Sequence, residues 1–131
     1  MNPELEKLKE FHGHLGPYAV AGYRMGKLAL KLLSARGKKL KALAKTGTTP
    51  PISCIIDGVQ LSSCCTLGKG NISVSSERVP AVVFSGEKTI EITLSKKAVR
   101  LIEENDGSEE DAAILLWSFP EEKLFEVKNL H

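Results

Sequence analysis

The stretch from Pro17 to Gly37, PYAVAGYRMGKLALKLLSARG, constrains the rest of the chain more than any other. A proline opens it and a glycine closes it, which is the punctuation of a helix reaching about Arg36. Arg24, Lys27 and Lys31 recur at helical spacing and share one edge, while most other positions are apolar or small. A helix that is apolar on nearly all sides has to be surrounded. The pattern predicts a central helix with one wet, basic edge. Ala19, Gly22, Gly26 and Ala29 add a stripe without bulk, where a second backbone can approach closely. A small domain can bury such a stripe against a twin, so the stripe also predicts a homodimer.

At 131 residues the chain reads as one domain, 1–131, long enough to bury a single core. Asn2 and Pro3 suit the N-cap and first position of a short helix ending near Glu10. After the central helix, Lys38 to Pro51 reads as a connector, a basic run followed by TGTTPP. ISCIID (52–57) reads as a short apolar strand, with Asp57 capping a brief helix behind it. Beyond the turn TLGKGN come three strand patterns, ISVSS, AVVFSG and KTIEITL, with Gly86-Glu87 near a hairpin turn. Ser95 caps a helix to about Asn105. Ser108, followed by Glu109, Glu110 and Asp111, opens another that Pro120 ends, and KLFEV is a last strand. Helices, then strands, then helices is an α+β order: a central mixed or antiparallel sheet packed against helices.

A net charge of +2 is too small to argue for nucleic acid. No apolar run approaches the ~18 residues of a membrane span, and the charged opening MNPELEKLKE is no signal peptide, so a cytoplasmic location is expected. Charge is unevenly spread. No acidic residue lies between Phe11 and Ile56, whereas Lys123 is the only base from Leu101 to Glu126. The electropositive segment can attract an anionic small molecule; the plain alternative is a solvated helix face and loop.

Three cysteines, Cys54, Cys64 and Cys65, fall within twelve residues. An odd, clustered count is a poor disulfide framework and a better basis for thiol chemistry or metal binding. The segment FHGHLGPY (11–18) sets two of the three histidines around a glycine at a helix–helix junction. There they read as metal ligands, as a helix cap or as core histidines. Cys54 likewise reads as a ligand or as a small hydrophobe. If the strand end and the glycine-rich turn meet the junction, His12, His14, Cys54 and Cys65 make a set suited to zinc or another divalent transition metal. Cys64, adjacent to Cys65, points away. The turn LGKGN does not fit G-x-x-x-x-G-K-[ST], so it is no P-loop, although its amides with Lys69 can form a small anion nest.

Together, FHGHLGPYAVAGYRMG (11–26) and SCIIDGVQLSSCCTLGKGNI (53–72) closely resemble the signature of the formylmethanofuran dehydrogenase E-subunit family. The resemblance implies an α+β core domain, usually a dimer, with a metal-associated pocket formed by His12, His14, Cys54 and Cys65. It sets Asp57, Gln60, Lys69 and Asn71 beside that pocket as substrate-binding residues. It implies a metal-binding accessory subunit of one-carbon, formylmethanofuran-type metabolism, with other formylmethanofuran dehydrogenase subunits as partners. The alternative is a free-standing zinc-dependent enzyme acting on a small anionic substrate, with Asp57 or an unligated histidine as general base. Many members carry a cysteine where this chain has Gly16, and many add a C-terminal cysteine-rich module, whereas no cysteine follows Cys65 here. The parent enzyme works through a molybdenum or tungsten pterin. This chain lacks the roughly four thiolates of an iron–sulfur cluster, so the resemblance does not make it the redox catalyst.

Overall fold

The computed structural model describes residues 2–34 and 39–130. Two helices come first, α1 (Pro3–His12) and α2 (Pro17–Leu33). The Asn2 side chain accepts a hydrogen bond from the Glu4 amide and caps α1. Gly13, at φ +99°, ends α1 in a conformation open to glycine. α2 stops at Leu33, where Ser34 takes φ 51°. The expected end at Arg36 and Gly37 lies outside the described residues.

Five strands follow: β1 (Lys41–Ala44), β2 (Ile72–Val74), β3 (Ala81–Ser85), β4 (Thr89–Leu94) and β5 (Phe125–Asn129). They form one sheet in the order β2-β1-β3-β4-β5. β1 and β2 run parallel, and the other neighbours are antiparallel. The sheet is therefore mixed and the class is α+β. In β4, Ile90, Ile92 and Leu94 are buried and alternate with the half-exposed Thr89, Glu91 and Thr93, as a sheet with one covered face requires. β1 corrects the connector reading of 38–51. Leu40, Ala42 and Ala44 point into the core while Lys41 stays outside, so a short period-two pattern sits inside the lysine run.

A second correction concerns 52–57, which is not a strand. A 3-10 turn (Ile52–Cys54) leads into α3 (Ile55–Ser63). The reason lies in α2. A Cβ on Gly58 of α3 would overlap the carbonyl of Ala19, one on Gly22 would overlap that of Ile55, and one on Gly26 would overlap the Ser62 hydroxyl. Two backbones meet here closer than any side chain allows, and they use the whole small-residue stripe. The stripe thus packs within the chain, which removes the motive it gave for a twin.

The last helices are α4 (Lys96–Glu103), α5 (Glu109–Ser118) and α6 (Glu121–Leu124). Ser95 caps α4, and Ser108 with Asp111 forms a reciprocal capping box on α5. The basic edge of α2 is answered from within. Arg24 donates to the carbonyls of Leu116 (2.8 Å) and Phe119 (2.6 Å) at the end of α5. Lys27 pairs with Glu4 at 3.4 Å and Lys31 with Glu121 at 3.8 Å. Among the described residues, no helix is long and apolar enough to cross a membrane.

Candidate functional site

The turn between α1 and α2 does what its glycines permit. Gly13 reverses the chain, and His12 and His14 come to rest with ring centroids 4.6 Å apart, tilted by 42°. The first turn of α3 arrives from the other side with Cys54 and Asp57. His12 Nδ1 lies 2.6 Å from Asp57 Oδ2. A carboxylate only accepts, so Nδ1 carries the proton and Nε2 presents its lone pair. The His12 side chain is 8% exposed, and its Nε2 is buried without a hydrogen-bond partner. Such an atom calls for an explanation, since buried polar groups are nearly always paired. His12 lines a recess of about 10 Å³ together with His14, Gly16, Cys54 and Glu109, room for a single water-sized sphere.

Burial, and after it the charges of Asp57 and Glu109, push the Cys54 thiol up from its usual range. Alone, it stays protonated at neutral pH and is a poor nucleophile; a bound cation reverses that balance. His14 Nε2 stands 3.8 Å from Glu109 Oε2, and both side chains are more than half exposed. At position 16 a Cβ would sit 3.3 Å from His14 Nε2, so the position where the resemblance expects a cysteine belongs to this same recess. The donors here, two imidazoles, a thiol and a carboxylate, are of the kind zinc takes. Among the described residues, no three His, Cys, Asp or Glu side chains already converge on one point to hold an ion. His12 is fixed by Asp57, whereas the exposed His14 and Glu109 have room to turn.

The expected ligand set is not brought together. Cys65 is fully buried, with its sulfur 3.4 Å from the Leu40 carbonyl and its amide donating to Ser63 Oγ. Because 55–63 is helical, Cys54 and Cys65 lie at opposite ends of α3, about 13 Å apart along its axis at ~1.5 Å per residue. Burial also raises the Cys65 thiol, which suits a core residue. Gln60, Lys69 and Asn71 go with Cys65. Gln60 Oε1 accepts from the Leu67 amide at 3.0 Å, and Asn71 Oδ1 from that of Thr66 at 2.8 Å. Lys69 ends the 3-10 turn Leu67–Lys69. Gln60 and Asn71 shape the glycine-rich turn rather than the recess. Of the four substrate candidates, only Asp57 touches a residue that lines the recess. Sequence reasoning misses Glu109 and Tyr18, which line the recess as well. In the sequence Glu109 is only a favourable charge on a helix end, and nothing local ties it to His14.

Among known proteins, the family described as FmdE, molybdenum formylmethanofuran dehydrogenase operon, matches residues 11–126. An Archaeoglobus fulgidus protein named "Probable S-adenosyl-L-methionine-binding protein" is 30% identical over 146 aligned positions, covering 94% of this chain and 39% of that one. The chain thus spans about two fifths of that curated relative. An FmdE-like protein of tungsten formylmethanofuran dehydrogenase from Syntrophus aciditrophicus superposes with a TM-score of 0.71 at 24% identity, over 97% of this chain and 70% of that one. That likeness is one of fold.

Proposed function

We propose a function from one premise: this chain belongs to the FmdE family. In this reading it is a metal-binding accessory protein of one-carbon, formylmethanofuran-type metabolism, acting beside other dehydrogenase subunits. One observation carries the metal: the buried His12 Nε2 has no partner, while Asp57 holds the proton on Nδ1. A carboxylate behind an imidazole is the usual support of a metal-binding histidine. His12 Nε2 and Cys54 Sγ would be the first two ligands, with His14 and Glu109 drawn in from their exposed positions. Cys65 has no part in it. Bound there, zinc or another divalent transition metal would supply Lewis acidity toward water or a carbonyl oxygen. A homodimer belongs to this proposal on the resemblance alone, and light scattering tests it.

Cobalt(II) titration tests the site directly. A thiolate-to-cobalt absorption band should grow to saturation at about one equivalent and be absent from Cys54→Ser. No band in the unmodified chain would overturn the reading.

A second reading takes the chain as a metal-dependent enzyme in its own right. The His12–Asp57 pair favours it, because an oriented imidazole with a free lone pair is also a general base. The two readings part at His12→Ala, which loses the metal in the first and keeps it, without turnover, in the second.

A further inference from the structure

Beside the recess lies a larger cleft of about 460 Å³, within the range of small-molecule sites. It shares Pro17, Tyr18, Pro51 and Glu109 with the recess, so a molecule in the cleft abuts His12, His14 and Cys54. Ile52 and Ile102 extend its apolar walls. Its only charged lining residues are Glu103 and Glu109, and among the described residues no Lys, Arg or His lines it. Nearby bases are engaged elsewhere. Lys9 pairs with Glu110 at 3.4 Å, and Lys27 and Lys31 hold Glu4 and Glu121. Lys27 follows Tyr18 by two and a half helical turns, which sets it on the opposite side of α2. Burial, and then Glu103, raise the Tyr18 hydroxyl above its ordinary range, so the ring stays neutral and keeps its electron-rich face.

From these walls and charges we propose that the cleft binds a cationic small molecule with an apolar or aromatic body. Its head group lies against Tyr18 and the carboxylates of Glu103 and Glu109. This replaces the anionic ligand suggested by the basic segment, whose charges are spent on internal partners. The inference rests on the metal reading in that the shared residues place the ligand against that site. The charges are compatible: a Cys54 thiolate with Asp57 and Glu109 sets three negative charges against the two of a divalent ion.

Calorimetric titration with three probes of one ring size tests it: benzyltrimethylammonium, benzyl alcohol and benzoate, at low salt. Each titration uses zinc-loaded and chelator-stripped protein, with zinc content measured on the same samples. The cation should bind about fivefold or more tighter than the alcohol, and benzoate most weakly. Glu103→Gln should shrink the preference by about threefold and leave zinc content unchanged, since Glu103 does not line the recess. Equal affinities, a preference for benzoate, absence of binding by all three, or a preference untouched by Glu103→Gln would each overturn the inference. Zinc bound without cation preference defeats this inference alone. Cation preference without zinc defeats the metal reading alone.

Discussion

His12 Nδ1 and Asp57 Oδ2 lie 2.6 Å apart, across the contact between the end of α1 and the first turn of α3. Asp57 therefore decides which ring nitrogen of His12 is free. Asp57→Asn can still accept the Nδ1 proton but loses the charge that strengthens the opposite nitrogen. Metal affinity should fall by about tenfold to a hundredfold, measured by competition with a chromophoric chelator. Unchanged affinity would mean that His12 is not a ligand.

The α2–α3 contact predicts a sharp contrast between two glycines. Gly58→Ala drives a methyl into the backbone of α2 and should cost about 1–3 kcal/mol or more, read by chemical denaturation. Gly68→Ala, with nothing within 4 Å of the new carbon, should stay within about 0.5 kcal/mol. Similar stabilities for the two variants would contradict the close packing.

Tyr23 donates to Glu4 Oε1 at 2.7 Å, and Lys27 adds its charge at 3.4 Å. The Tyr23 bond first, and Lys27 after it, hold the Glu4 carboxyl below its ordinary 4.5. A depressed folded value contributes stability that is present above about pH 4.5 and lost as pH falls through the lower folded value. The carboxylate is nearly half exposed, so the contribution is small. Tyr23→Phe should cost roughly 0.5–1 kcal/mol at pH 7, and the deficit should shrink below pH 4. A deficit independent of pH would assign the loss to packing instead.

What is legible in the sequence is local. Asn2 and Ser108 announce their helices by side-chain chemistry within three residues, and the alternation in KTIEITL fixes the buried face of β4. What the sequence hides depends on distant partners. Ile52, Ile55 and Ile56 favour a strand by their branching, yet the segment is helical because Gly22, Gly26 and Gly58 let α3 lie directly on α2. The lysines around β1 hide the alternation of Leu40, Ala42 and Ala44. At the site, His12, His14, Cys54 and Asp57 can be named because they sit in two quotable motifs. Cys65 is misplaced by the same error that makes 52–57 a strand. The basic edge of α2 finds its counter-charges and carbonyls on Glu4, Glu121, Leu116 and Phe119, far away in the chain.

The central claim is that His12 and Cys54, without Cys65, hold a metal. Zinc per chain, measured by elemental analysis after dialysis, tests it on the unmodified protein and on His12→Ala, Cys54→Ser, Cys64→Ser and Cys65→Ser, each checked for folding. The predicted result is about one zinc in the unmodified chain, retained in Cys64→Ser and Cys65→Ser and lost in His12→Ala and Cys54→Ser. Full zinc in both His12→Ala and Cys54→Ser, or its loss from a folded Cys65→Ser, would contradict the account.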